Sequence, residues 1–208
     1  MSSDEIVTEC PACKKESMTV KSMVYPIPYF NELIIFVMKC SECKFTQKDI
    51  FSVEQRPPVR WELLVDDVDL LKTRVIRSGS GTMRLPDFGI DVEPGPAAEA
   101  FISNVEGVVQ RMHDVTGIAM RSADTEEQQE RGKEIMEKLK EAMEGNLAFT
   151  LVIEDPAGVS AILPDDMSKV NRTELSEEEA SELRGAPFWL DNIRDEYAKV
   201  VETHGSAT

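Results

Sequence analysis

The chain is short of histidine, of long apolar runs and of positive charge, and each shortage removes a class of function. Only His113 and His204 are present, with no His-Glu-x-x-His pair, so a histidine-held catalytic metal is not expected. There is no Gly-x-Ser-x-Gly elbow, and the glycine-rich stretch Ser78-Gly79-Ser80-Gly81 is not followed by Gly-Lys-Ser/Thr. That stretch reads as a turn between strands. With 39 acidic residues, any one carboxylate pair singled out as an acid–base couple would be chosen from noise. The expectation is that the protein is not an enzyme; an unrecognised one would need a pocket of converging titratable groups in the β-rich part. No apolar run approaches the roughly 20 residues that cross a bilayer, and residues 1–9 are polar and acidic rather than a secretory leader. A cytoplasmic, reducing setting follows as the expectation, with no membrane partner.

Lysine and arginine total 23 against 39 aspartates and glutamates, a net charge of −16. The deficit is uneven: basic and acidic residues number 8 and 8 over 1–60, 4 and 7 over 61–96, 6 and 11 over 97–145, and 5 and 13 over 146–208. Only the N-terminal quarter is neutral. A polyanion would be repelled except at a local basic patch, so nucleic acid is an unlikely partner, and the acidity favours a basic protein partner or simple solubility.

What the chain does have is two Cys-x-x-Cys pairs, Cys10-Pro11-Ala12-Cys13 and Cys40-Ser41-Glu42-Cys43, which hold all four of its cysteines. Each pair turns two thiolates to one side of the backbone, and two such turns facing each other form the four-sulfur shell that zinc prefers. Four sulfurs leave no open position, so one structural zinc is expected on Cys10, Cys13, Cys40 and Cys43. A thioredoxin-like redox pair gives no reason for the second motif, and two disulfides suit an oxidising compartment. Between the pairs, apolar runs at 18–25 and 33–38 flank Pro26, Pro28 and Asn31, the pattern of a β-hairpin rising from the metal turns: a zinc ribbon.

Gln55-Arg56-Pro57-Pro58 is a stiff connector, which divides the chain into a ribbon over 1–56 and a β-rich domain over 57–208. Short apolar segments at 61–65, 70–76, 82–85 and 88–92 read as strands of a compact β-sandwich or barrel-like sheet. The period then changes. Phe101, Val105, Val108 and Met112 give a helical stripe, with Ser103 and Glu106 offering a capping box. Thr125 with Gln128 starts a second helix, lined by Ile135, Leu139 and Met143 and ended by Gly145. This antiparallel helical pair, about 97–145, reads as an insertion into the β domain, its Met-bearing stripe either core or a partner groove. A hairpin of 147–153 and 159–163 about Asp155-Pro156-Ala157-Gly158 follows, then a loop over 164–172. Ser176 with Glu179 caps a short helix, and Trp189, Ile193, Tyr197 and Val200 mark a last one. The fold class is therefore α+β: a four-cysteine ribbon, then a β-sandwich with an inserted helical pair and C-terminal helices.

Several motifs in order carry a family resemblance. The series Cys10-Pro11-x-Cys13, then Ile27-Pro28-Tyr29-Phe30-Asn31-Glu32-Leu33-Ile34-Ile35, then Cys40-x-x-Cys43 resembles the ZPR-type (ZPR-one) zinc-finger domain family. Arg77-Ser78, Thr82-Met83-Arg84-Leu85-Pro86, Ser103-Asn104-Val105-Glu106-Gly107 and Glu154-Asp155-Pro156-Ala157-Gly158 continue it, over roughly 10–184. The chain is similar to the single-unit archaeal form, whereas eukaryotic members carry the unit twice. The resemblance implies a chaperone or escort of translation elongation factor one-alpha; a nucleic-acid or ribosome-associated zinc ribbon is the alternative. One departure is visible: Lys14 and Lys44 stand where the family often has the glycine that eases a positive-φ turn. At the hairpin tip Tyr25, Ile27, Tyr29 and Phe30 form either a partner contact or packing against the β domain. Sequence leaves the oligomeric state open.

Overall fold

The computed structural model describes residues 5–27, 31–52, 56–95 and 98–183. The N-terminal sheet contains β1 (Glu5–Glu9), β2 (Glu16–Ile27), β3 (Asn31–Cys40) and β4 (Thr46–Ser52), all antiparallel in that order. The expected hairpin is β2–β3, running in register from Met18 opposite Cys40 to Ile27 opposite Asn31. Each Cys-x-x-Cys turn links one of these strands to a flanking one, which widens the hairpin to four strands.

The sheet's apolar residues divide between two cores. Near the cysteines, Met18 packs with Cys10 and Cys40, backed by Val20, Met38 and Phe45. At the other end Leu33 (0% exposed) and Ile50 (3%) belong to the main core of the chain, beside Val59, Trp61 and Leu63. A small ribbon has too little apolar area for a core of its own, and it borrows one.

The remainder is a two-sheet sandwich. Its strands are β5 (Val59–Val65), β6 (Arg74–Arg77), β7 (Thr82–Leu85), β8 (Ile90–Val92), β9 (Phe101–Asn104), β10 (Phe149–Asp155), β11 (Ala161–Leu163) and β12 (Val170–Glu174). One sheet has the order β12-β5-β10-β7-β8 and the other β11-β6-β9. In β5, Val59, Trp61, Leu63 and Val65 alternate inward with period two, as a half-buried strand must. On the outer face Glu154 accepts from Arg60 (3.0 Å) and Arg84 (2.8 Å), and Arg84 also meets Asp91 at 3.0 Å, tying four neighbouring strands together.

Between β9 and β10 lie α1 (Val105–Arg121) and α2 (Glu126–Met143), which pack on each other; α3 (Glu177–Glu182) follows β12. The α1 stripe of Val105, Val108 and Met112 is core, as are Leu139 and Ala142 of α2, whereas Val115 and Ile118 are half exposed. Thr125 caps α2 through its hydroxyl to the Gln128 amide, and Ser176 and Glu179 form a full capping box on α3.

Four expectations are corrected. Residues 147–153 and 159–163 are not a hairpin: β10 pairs with β5 and β7, β11 pairs with β6, and the turn between them is a corner joining two sheets. Residues 164–172 are not all loop, because β12 adds to the edge of the first sheet; its exposed polar side chains gave no period to read. The apolar run at 70–76 splits into a 3-10 turn (Val68–Lys72), begun by the Asp67 side chain on the Asp69 amide, and β6. Finally, α1 is capped one residue beyond Ser103: Asn104 caps it by accepting from the Gly107 amide, and Phe101 is in a strand. The helix expected around Trp189 and Ile193 lies outside the described residues.

Candidate metal centre

Both cysteine turns have the same backbone geometry, and that explains how the sulfurs converge. In each, the amide of the first cysteine donates to the carbonyl five residues on, Cys10 to Lys15 and Cys40 to Phe45, both at 2.8 Å. Such closure bends the chain through a left-handed residue, and it falls on Lys14 (φ 60°) and Lys44 (φ 63°), the two places where glycine was missed. The ring is closed further by the Lys44 ammonium, which donates to the Ser41 carbonyl at 2.7 Å.

The four sulfurs all lie within 4.8 Å of one another, with Cys10 Sγ 3.7 Å from Cys43 Sγ and Cys13 Sγ 3.7 Å from Cys40 Sγ. Around a zinc with Zn–S bonds of about 2.3 Å, the edges of a tetrahedron are about 3.8 Å. The donor set and the spacing fit one zinc with no ligand position left for water, a structural site. Cys10 and Cys40 are fully buried and Cys43 is at the surface.

The surroundings favour the thiolate. The Ser17 hydroxyl sits 3.2 Å from Cys40 Sγ and the Cys43 amide donates to the same sulfur at 3.4 Å. The Ser17 contact, with the amides of Cys43 and Glu42, pulls Cys40 down to about 6. Cys43 is held down by the Phe45 amide yet pushed up to about 12 by burial and by the sulfurs of Cys40, Cys10 and Cys13. The Cys40 thiolate forms readily and that of Cys43 resists until a cation neutralises it, which is the task of the metal.

Of the expected contact residues, Tyr25 is described and is 38% exposed. Ile27 ends β2 with its side chain outside the described part, and Tyr29 and Phe30 lie outside the described residues altogether. His113 sits on α1, partly exposed, with Nδ1 lacking a hydrogen-bond partner and 3.7 Å from Asp114. The cysteines are the one ligand cluster among the described residues.

Sequence reasoning missed a second constellation, a closed one. Asp155 is fully buried and accepts six hydrogen bonds: from the hydroxyls of Ser78 (2.8 Å), Ser80 (2.6 Å) and Ser160 (2.7 Å), and from the amides of Ala157 (2.9 Å), Val159 (3.1 Å) and Ser160 (2.6 Å). Beside it, Asp49 of the ribbon is 3% exposed and accepts from the amides of Ile50 (2.8 Å) and Gly79 (3.4 Å). Burial pushes Asp49 up to about 6, with Asp155 adding to the shift, while those two amides and Arg77 oppose it. Arg77 is itself buried, donating to the carbonyls of Gly81 (2.9 Å) and Glu99 (3.1 Å). The residues were visible as turn motifs, but nothing in the sequence says that Asp49, 30 positions away, reaches Gly79.

With this geometry in hand, comparison with known proteins is informative. Residues 4–58 match the ZPR1 zinc-finger domain and residues 69–184 the ZPR1 jelly-roll domain. A ZPR1-like protein of Methanocaldococcus jannaschii is 36% identical over 184 residues, covering 88% of this chain and 91% of that one. One of Pyrococcus horikoshii is 36% identical over 184 residues, covering 86% and 81%. The zinc finger chaperone zpr1 of Schizosaccharomyces pombe is 27% identical over 157 residues, which are 73% of this chain but 34% of the yeast protein. No helix among the described residues is long and apolar enough to cross a membrane.

Proposed function

The chain belongs to the ZPR1 family, and from that premise we propose that it is a non-enzymatic, zinc-stabilised protein-binding factor, a chaperone or escort of translation elongation factor one-alpha. The observation that carries the protein-binding part is a run of exposed apolar side chains on the ribbon. It lies on β2 beyond Lys21, which pairs with Glu5, the first described residue of β1. There Met23 (45% exposed), Val24 (51%) and Tyr25 (38%) follow one another. Adjacent exposed apolar side chains on a strand offer a contact surface to another chain. Zinc supports the surface at a distance by fixing the far end of the same hairpin. The yeast relative is named a zinc finger chaperone, which agrees with this reading. The deeply buried aspartates support a non-enzymatic role, because Asp155 has its lone pairs occupied and no access to a substrate.

The test is a titration of the zinc-loaded protein against elongation factor one-alpha from the same source, with transfer RNA as a parallel ligand. Saturable binding to the factor, weakened by Tyr25→Ala and by the Tyr29→Ala/Phe30→Ala pair, is the expected result. Binding to RNA alone, lost steeply with salt, would replace the proposal with a nucleic-acid ribbon.

A further inference from the structure

The lysines of the ribbon divide into two groups. Lys14 and Lys15 both face carboxylates, Glu9 at 4.0 Å and Glu42 at 2.7 Å. Lys39, Lys44 and Lys48 make no ion pair among the described residues, and all three are exposed. Lys39 and Lys44, together with Lys21, line an open groove of about 400 Å³ on the sheet beside the second cysteine turn, with the hydroxyls of Thr19 and Ser41 on its walls.

Register explains why these cations converge. Thr19 stands opposite Lys39 and Lys39 opposite Thr46; Lys21 stands opposite Val37 and Val37 opposite Lys48. Side chains directly opposite share a face of the sheet, so these two rows across β2, β3 and β4 form one surface, without a carboxylate in either. Glu5 of β1 is opposite Lys21, at the outer end of one row. In a chain with 39 acidic residues and a net charge of −16, a surface left to lysine and threonine is the exception. A zinc bound by four thiolates has a formal charge of −2, and lysines that merely balanced it would bind no further anion.

We infer that this groove, together with Lys48 on the same face of the sheet beside it, binds a short acidic segment of a protein partner, its carboxylates seated on Lys39, Lys44 and Lys48. The rest of the molecule selects the ligand. A long polyanion would leave the groove and meet a strongly negative surface, whereas a short acidic peptide gains the lysines without that repulsion. In an extended peptide, same-side residues repeat every about 7 Å, the step between successive same-face positions of β3. The inference does not depend on which partner is proposed above.

The experiment measures binding of a fluorescein-labelled octapeptide of alternating glutamate and aspartate to the zinc-loaded protein by anisotropy, at about 20 mM and about 200 mM salt. An unstructured oligouridylate of similar length serves as the second probe. Lys39→Glu/Lys48→Glu should weaken peptide binding at least about tenfold, while Lys14→Gln/Lys15→Gln, outside the groove, should change it less than about twofold. Zinc content and circular dichroism check both folds; if the charge reversal disturbs either, Lys39→Gln/Lys48→Gln replaces it with the same direction expected. No saturable peptide binding at the lower salt overturns the inference. So does an equal loss in Lys39→Gln/Lys48→Gln and Lys14→Gln/Lys15→Gln, which lower the net charge by the same amount and would then report net charge alone. Tighter binding of the oligouridylate than of the peptide, abolished by Lys39→Glu/Lys48→Glu, would make the groove a phosphate site instead.

Discussion

Lys14 and Lys44 have positive φ, a conformation that costs a side-chain-bearing residue about 1–2 kcal/mol where glycine is nearly indifferent. Part of that gain is returned because glycine is also freer in the unfolded chain. Lys14→Gly is therefore expected to stabilise the zinc-loaded ribbon by about 0.5–1 kcal/mol, seen as a higher denaturant midpoint. Lys44→Gly should gain less, since it forfeits the ammonium's bond to the Ser41 carbonyl. Destabilisation by both would mean that the turns do not strain these lysines. The cysteines behave differently. Their sulfurs are placed for a metal whose binding supplies folding free energy on the order of 10 kcal/mol, so Cys40→Ser should abolish stoichiometric zinc and unfold the knuckle end. Metal content and circular dichroism equal to the unmodified protein would refute the four-cysteine site.

At the scale of elements, the corner between β10 and β11 is made by one carboxylate. Asp155 takes the amides of Ala157, Val159 and Ser160, pulling the chain out of the first sheet and into the second, and Gly158 passes through φ 67° where a Cβ would collide with the Pro57 carbonyl. Asp155→Asn would set an amide NH2 against backbone N–H groups that can only donate, Ala157 on one oxygen or Val159 and Ser160 on the other, and a loss of about 3–5 kcal/mol is expected, read as a lower thermal midpoint. This is also where the sequence was least legible. Asp-Pro-Ala-Gly between apolar runs is a turn whether its strands pair with each other or diverge, and only the distant hydroxyls of Ser78 and Ser80 decide it. The same holds for β12, an edge strand with no apolar face, and for β1 and β4, whose mates are set by the knuckles. Local signals fared better: the cysteine spacing, the α2 and α3 caps, the helical pair and Gly145 at φ 77° all stand where expected. Asp49 gives this scale its pH dependence. Its carboxyl is at about 6 when folded and near the ordinary 3.8 when unfolded, so folding favours the protonated form. That contribution is full below about pH 4 and is lost as pH rises through about 6, on the order of 2–3 kcal/mol. Asp49→Asn keeps an acceptor for the Ile50 and Gly79 amides, so it should stabilise the protein at pH 7.5 and leave it nearly unchanged at pH 4. An equal effect at both pH values would assign Asp49 no such role.

For the whole molecule, the question is whether a zinc ribbon and a jelly roll merely share a chain or fold as one unit. The contacts favour one unit. Leu33 and Ile50 of the ribbon are buried in the jelly-roll core, Asp49 reaches Gly79, and the Ala100 amide donates to the Lys48 carbonyl at 3.2 Å. Burying each of the two apolar side chains is worth about 1.5–3 kcal/mol, so the jelly roll draws up to about 6 kcal/mol from strands whose other end is fixed by zinc. Chelation removes the metal about 20 Å away from Ile50 along an antiparallel sheet whose knuckle-end core, among the described residues, is Cys10, Met18 and Cys40 with their half-buried neighbours. The sheet should then fray from the knuckles toward Leu33, and the jelly roll should lose stability without losing a residue of its own. The expected result is a single thermal transition in the zinc-loaded protein that falls by several degrees on chelation, as a few kcal/mol would require in a protein of this size. In Ile50→Ala the midpoint should start lower and chelation should shift it less, because the coupling contact is already gone. Two separate transitions, the upper one unmoved by chelation and by Ile50→Ala, would show that the modules fold independently and that zinc acts on the ribbon alone.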